Sequence, residues 1–405
     1  MTVRNDHNNQ LLHTGKKLGV LLVVAIVCGL IGALFSGCIS WVTTLRQSNG
    51  WLILLLPAAG VLSVVIDRLL RTQGIGTDHV LRAARGEETL SPRLTPSIFL
   101  CSACSHLVGA SVGREGAALQ LGGGIASFFG GRFRLSTTEQ ALLVRCGMAG
   151  VFSAVFGTPL AAAVFAMEVV MVGNYSWELI PLLATSLVSY GTSMLVGGHA
   201  ERFPLTEIPS FNLSVLLTVG VIALASTVVS SLFCYALRGT KKTLRSCIPN
   251  AFLRIVAGGA VLVALTIVVG AQRYNGAGTD VIEAVFSHGE VNWWDFLLKL
   301  LFTVIAVSSG YKGGEIIPSL FIGAMFGGFM ACLLGLPCGF GAAIGMTVLF
   351  CGATNCPLAS LLLAAELFSW QGVPYMILAV VIAFLLSGRI SLYTSQTVTG
   401  FKNRF

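Results

Sequence analysis

Charge is scarce in this chain. Asp, Glu, Lys and Arg together make up 10% of its 405 residues, against 55% hydrophobic residues. With a mean hydropathy of +0.84, that balance excludes a surface that faces water throughout. Paired cysteine spacing is also missing. Eleven cysteines are scattered through apolar segments, and the Cys101, Cys104 pair has no second pair to complete a zinc site, so the cysteines read as small packing residues. No small-residue cleavage site follows the first hydrophobic run, which is too long for a signal peptide and is expected to stay as a helix. A continuous basic face is absent too. The formal net charge of +8 comes from Lys and Arg in short clusters between apolar spans, which argues against a nucleic-acid surface and for topology signals.

What is present is long uncharged sequence. Residues 18–45 and 316–365 carry no charge at all, and a helix needs only about 20 apolar residues to cross a bilayer. Further apolar stretches lie at 51–66, 95–113, 146–167, 179–200, 208–237, 255–272 and 367–388. They leave little for a soluble domain, so the fold class expected is an all-α integral membrane protein surrounded by lipid. Loops holding Lys and Arg tend to stay cytoplasmic, which places Arg4, Lys16 and Lys17, the cluster Arg238, Lys241, Lys242, Arg245, and the tail Lys402, Arg404 inside.

Self-similarity at an offset of about 200 residues organises the chain. Gly74-Ile75-Gly76-Thr77-Asp78 matches Gly276-Ala277-Gly278-Thr279-Asp280, and Gly113-Arg114-Glu115-Gly116 has a counterpart in Gly313-Gly314-Glu315. Pro159-Leu160-Ala161 and Pro357-Leu358-Ala359 are each followed by a glutamate nine positions after the proline, Glu168 and Glu366. Two halves with Gly- or Pro-interrupted hydrophobic segments at matching places are the pattern of inverted repeats in secondary transporters. A parallel duplication is the alternative, and charge favours inversion. The turn after the first long helix, 46–50, has one positive charge, whereas that after its match, 238–245, has four, so the two should face opposite sides. The expected division is a cytoplasmic N-terminal segment 1–16, a first transmembrane repeat 17–205, a second 206–395 and a cytoplasmic tail 396–405.

Glycine, with 47 residues, concentrates around 109–131 and 310–328. Broken backbone at membrane depth is tolerated only where protein buries it or it lines a cavity, and the free N–H groups of a half-helix N-terminus bind anions. Gly109 to Val112 reads as such a turn, with helix from Ala117 onward, which sets Glu115 among the first amides. Its carboxylate can take the anion's place and leave it when protonated, linking a proton to anion movement. A capping glutamate paired with Arg114 explains the same residues, and the sequence alone weighs the two evenly.

Gly109-Ala110-Ser111-Val112-Gly113-Arg114-Glu115-Gly116 resembles the signature of the CLC chloride channel and transporter family, Gly-Lys/Arg-Glu-Gly usually followed by Pro, here Ala117. Gly74-Ile75-Gly76 is similar to the family's Gly-Ser-Gly turn, Gly313-Gly314-Glu315-Ile316-Ile317-Pro318 to its Gly-x-Phe-x-Pro element, and Ser391-Leu392-Tyr393 to its tyrosine segment. The resemblance implies the CLC fold, with two inverted-topology helical repeats whose broken helices meet at mid-membrane, and a homodimer with one pore per subunit. It further implies a gating glutamate at Glu115, and anion contacts from Gly113, Arg114, Gly116, Ile75, the Ile316 and Ile317 amides and the Tyr393 hydroxyl. No cofactor is implied. The chain stops at Phe405 without the cytoplasmic regulatory domains of many eukaryotic relatives, so a bacterial-type minimal transporter of the inner membrane is expected.

Three departures point within the family. The central serine falls on Ile75, the internal proton-transfer glutamate on Val169 beside Glu168, and the Phe of the second signature on Ile316, preceded by Glu315. Together they resemble the fluoride/proton antiporter branch, although that branch usually has Thr or Val where this chain has Ala117 and Met where it has Ile75. A protonated carboxyl at Glu315 is a donor suited to a small, strongly hydrated anion; a helix N-terminal charge is its structural alternative. Glu168 and Glu366 are expected to be structural rather than conducting. The expected function is proton-coupled antiport of a small halide, fluoride ahead of chloride, with Glu115 and Glu315 handling protons. A passive chloride channel of the same fold is the near alternative. An intramembrane serine hydrolase built on the Gly-x-Ser-x-Gly turn 109–113, with a base among His79, His106, His199 and His288, is the remote one, since that elbow needs a strand-turn-helix context.

Overall fold

The computed structural model describes residues 2–172 and 176–398, without the side chains of residues 2–14, 172 and 398. Lys402, Arg404 and the side chain of Arg4, named above as cytoplasmic markers, lie outside the described residues, as does most of the tail 396–405. Lipid offers the backbone no hydrogen-bond partners, so the uncharged runs satisfy themselves as helices. The first half holds eight, α1 (Thr2–Ser48), α2 (Leu56–Leu70), α3 (Thr77–Ala84), α4 (Leu94–Leu107), α5 (Glu115–Arg132), α6 (Thr137–Phe156), α7 (Pro159–Glu168) and α8 (Leu179–Leu195). The second half repeats the series as α9 (Leu213–Cys247), α10 (Ala251–Val269), α11 (Thr279–His288), α12 (Asp295–Ser309), α13 (Ile316–Leu333), α14 (Cys338–Thr354), α15 (Pro357–Leu367) and α16 (Val373–Leu386). Among the described residues, strands are confined to a parallel pair, β1 (Met171–Val172) with β2 (Thr397–Val398).

The halves match helix for helix. Among the described residues, α1, the stretch Gly50–Leu70, α6, α9, α10 and α13 are long and apolar enough to cross a membrane. The ten residues of α7 and of α11 reach only about 15 Å at 1.5 Å per residue, half of a bilayer core. These are the broken helices, and α7 and α15 each start on a proline that needs no amide partner there. Within each half the glycine-rich helix lies flush against its successor. A Cβ at Gly122 of α5 would overlap the Gly147 backbone of α6, and one at Gly323 of α13 would overlap the Gly345 backbone of α14, so only glycine permits this approach.

α1 runs upstream without a break to Thr2, so the polar segment before residue 17 is backbone helix from there on. Two expectations change. The basic cluster 238–245 forms the last turns of α9 rather than a loop, and Arg46 is a buried residue in the last turn of α1; charge in two loops is therefore not the right measure of inversion. The cysteines are not all packing residues. Cys332 in α13 and Cys338 at the start of α14 form a disulfide with Cα atoms 5.2 Å apart, while the other nine are free thiols. The tight α13–α14 hairpin brings the two together across its turn, which a spacing of six residues does not reveal.

Candidate functional site

The two glycine-rich turns meet. Gly113 and Gly314 face each other in an antiparallel bridge, Gly113 donating to the Gly314 carbonyl at 2.7 Å and Gly314 to the Gly113 carbonyl at 2.5 Å. α5 and α13 both start two residues beyond this crossing, with Arg114 and Glu315 respectively at their N-cap positions. The counterpart of Glu315 is thus Arg114, and the counterpart of Glu115 is Ile316; the sequence match of the two glutamates is out of register by one residue. The first-turn amides of both helices, those of Gly116, Ile316 and Ile317 among them, belong to the donors that a helix cannot satisfy internally.

Glu115 sits at the crossing itself. It is fully buried, and neither carboxylate oxygen has a hydrogen-bond partner among the described residues. The nearest charge is the Arg114 Nε, 3.6 Å from Oε1, while the Arg114 guanidinium is engaged elsewhere, with Glu201 and with the Ser36 hydroxyl. A Cβ on Gly113 would lie 2.6 Å from Glu115 Oε2 and 3.1 Å from Ile317 and Pro318, so carboxylate and α13 start converge over a site that must be glycine. An unpartnered buried carboxylate is costly, and such costs persist where they serve function.

Cavities lie on two sides of this plug. One, of about 340 Å³, is lined by Ile75, Lys241, Arg245, Lys312, Glu315 and Tyr393 among others. The other, of about 610 Å³, is lined by Ser36, Arg114, His199, Glu201 and Arg202. Glu115 lines neither. The expected site residues therefore divide: Ile75, Glu315 and Tyr393 face the first cavity, Arg114 faces the second, and Gly113, Gly116, Ile316 and Ile317 are buried and line neither. Tyr393 is buried and its hydroxyl has no partner among the described residues. Glu315 abuts the other repeat, its Oε2 3.4 Å from where a Cβ of Gly116 would be.

Other polar groups at this site were not singled out from sequence. Gln120, buried one turn into α5, donates to Thr77 Oγ1 at 3.3 Å and lines the first cavity. Lys299 is fully buried and donates to the carbonyls of Tyr274 and Gly276 at 3.2 and 2.7 Å. The signal was available, because an isolated lysine inside an apolar helix marks function or a specific partner. Ser111 of the Gly-x-Ser-x-Gly turn is buried and pairs with Thr303 Oγ1 at 2.9 Å, and the turn follows helix α4, not a strand. His106 is hydrogen-bonded to its own helix at Ser102. The elbow geometry of a hydrolase is not formed there.

A broken-helix membrane protein with helix N-termini meeting between two cavities belongs to the class of multi-pass membrane transporters. The family described as "Voltage gated chloride channel" matches residues 60–388. A "Chloride/fluoride channel protein" of Pseudomonas syringae pv. tomato is 31% identical over 404 residues, covering 98% of this chain and 89% of that protein. An "H(+)/Cl(-) exchange transporter ClcA" of Citrobacter koseri is 26% identical, covering 90% of this chain and 84% of its own length. The crystal structure of a CLC-type fluoride/proton antiporter superposes with a TM-score of 0.91 at 31% identity, over 96% of this chain and 99% of that one. The chain belongs to the voltage-gated chloride channel family, the CLC proteins, and has the CLC fold.

Proposed function

We propose that this protein is a proton-coupled antiporter of a small halide, with fluoride preferred to chloride. The observation that carries it is Glu115, a buried carboxylate without a hydrogen-bond partner, set where the repeats cross and between two cavities. As carboxylate it occupies the anion's position before the α5 and α13 amides. As carboxylic acid it is released from them, and an anion follows. Glu315 and Tyr393 receive anion and proton on the Lys241 side, which the α9 basic turns mark as cytoplasmic. Gly113, Gly116, Ile75, Ile316 and Ile317 shape the path, and Arg114 holds its far mouth. The residue spans 17–205 and 206–395 act as the two repeats, and the working unit is a homodimer in the cell membrane.

Fluoride is favoured because Ile75 presents no hydroxyl to an anion, while a protonated Glu315 is a strong donor from which a small anion gains more than chloride does. The CLC-type fluoride/proton antiporter structure, at 31% identity, supports the same choice. A passive chloride channel is the second reading, favoured by Val169, a buried valine at the end of α7 where a coupled chloride exchanger would carry its inner glutamate. Reversal potentials under a pH gradient separate them: proton coupling displaces the potential from the anion's Nernst value, and a passive pore leaves it there.

A further inference from the structure

Lys312 stands directly before Gly313, Gly314 and Glu315 and lines the Lys241 cavity. Its ammonium makes two contacts, both into the first repeat: 3.1 Å to Asp67 Oδ2 and 3.2 Å to the Ile75 carbonyl. Asp67 is held in turn. Its Oδ1 accepts from Thr72 Oγ1 at 2.9 Å and Ser97 Oγ at 2.8 Å, and its carbonyl accepts from the Thr72 amide at 2.9 Å. The Thr72 carbonyl accepts from the Ile75 amide at 3.2 Å, which fixes the turn that presents Ile75. Lys312 and Asp67 side chains are 20% and 13% exposed, so solvent screens the pair less than it would a surface pair.

We propose that Lys312 is the positioning residue that keeps this cavity open to anions. The proposal rests on the antiport reading, in which the cavity is the anion's route. Two electronegative groups, the Ile75 carbonyl and the Asp67 carboxylate, border the path, and each repels an anion. Lys312 caps both. It also ties the Ile75 turn of one repeat to the Gly313–Glu315 loop of the other, so the two walls of the site keep one spacing. Without the ammonium, a half-buried carboxylate is left uncompensated beside the path.

The test is initial-rate fluoride efflux from proteoliposomes over a range of fluoride concentrations. Lys312→Met should raise the half-saturating concentration about ten-fold, with less effect on maximal rate, as expected when one partner of a poorly solvated pair is removed. Lys312→Arg should stay close to wild type. The double variant Lys312→Met, Asp67→Asn should regain most of the loss, because the orphan carboxylate is gone; a role in packing alone predicts no such recovery. Half-saturation unchanged in Lys312→Met, or a double variant as weak as the single one, overturns the proposal. If Lys312→Met does not elute as a single species, Lys312→Gln with and without Asp67→Asn carries the same comparison. A wild type that moves neither fluoride nor chloride overturns the transport reading instead.

Discussion

Glu168 and Glu366 cap each other's helices. Glu168, the last residue of α7, accepts the amides of Leu358 and Ala359 at the start of α15 at 3.2 and 2.8 Å, and Glu366 near the end of α15 accepts those of Leu160 and Ala161 at the start of α7 at 3.1 and 2.8 Å. Two half-helices thus run antiparallel, each N-terminus closed by the other's glutamate. The two are related by a local two-fold, which loop charges could not establish. This arrangement satisfies first-turn amides that no backbone acceptor reaches, and it accounts for both glutamates structurally.

Replacing either by alanine should therefore destabilise without altering ion choice. Each removes a carboxylate that accepts two amide bonds, a loss of about 1–3 kcal/mol. Thermal unfolding followed by size exclusion should show a lower midpoint for Glu168→Ala and for Glu366→Ala. An unchanged midpoint together with altered anion selectivity would place them in the conduction path.

Tyr393 allows a cleaner dissection than most buried tyrosines. Its hydroxyl has no protein partner among the described residues, so Tyr393→Phe removes nothing that holds the fold. Stability should be equal or slightly higher, while anion affinity falls about ten-fold, the worth of a hydrogen bond to a charged group. Calorimetric titration with fluoride measures it. Equal affinities would return Tyr393 to packing.

The disulfide makes a countable prediction. Denatured without reductant, the protein should expose nine alkylatable thiols, and after reduction eleven. Mass spectrometry after alkylation decides it, and a count of eleven in unreduced protein would remove the Cys332–Cys338 bond. Converting both residues to serine should cost about 2 kcal/mol of stability, as closing a loop of this length implies.

Much of this architecture was legible in the sequence because lipid enforces it. Uncharged runs must become helices, and the Pro-Leu-Ala and Gly-Gly-Glu landmarks recur because each half-helix start is built twice. The signature around Glu115 named a residue that the structure buries beside the Gly113–Gly314 crossing. What escaped was set by three-dimensional register. Glu115 and Glu315 match in a linear comparison, yet Gly113 pairs with Gly314, making Arg114 the partner of Glu315. Lys312 and Gln120 went unremarked because their meaning lies in contacts to residues 237 and 43 positions away. The cysteine pair is set by a hairpin, not by spacing.

Glu315 should matter to protons by a different route from Glu115, since it is not its symmetry mate. Glu315→Ala should slow fluoride-driven proton uptake by ten-fold or more while leaving the protein folded, because it deletes a titratable group on the Lys241 cavity wall. Undiminished coupled uptake would leave Glu315 as a helix-terminal charge.

In the proposed mechanism the buried carboxylate of Glu115 links a proton to the passage of a halide. Proteoliposomes with an outward fluoride gradient and a trapped pH dye test it most directly, comparing wild type with Glu115→Gln, whose amide keeps the shape but cannot exchange the proton. Wild type should drive protons inward as fluoride leaves, more strongly than with chloride, and Glu115→Gln should move no protons against a gradient. Uphill proton movement by Glu115→Gln at the wild-type ratio would contradict the account.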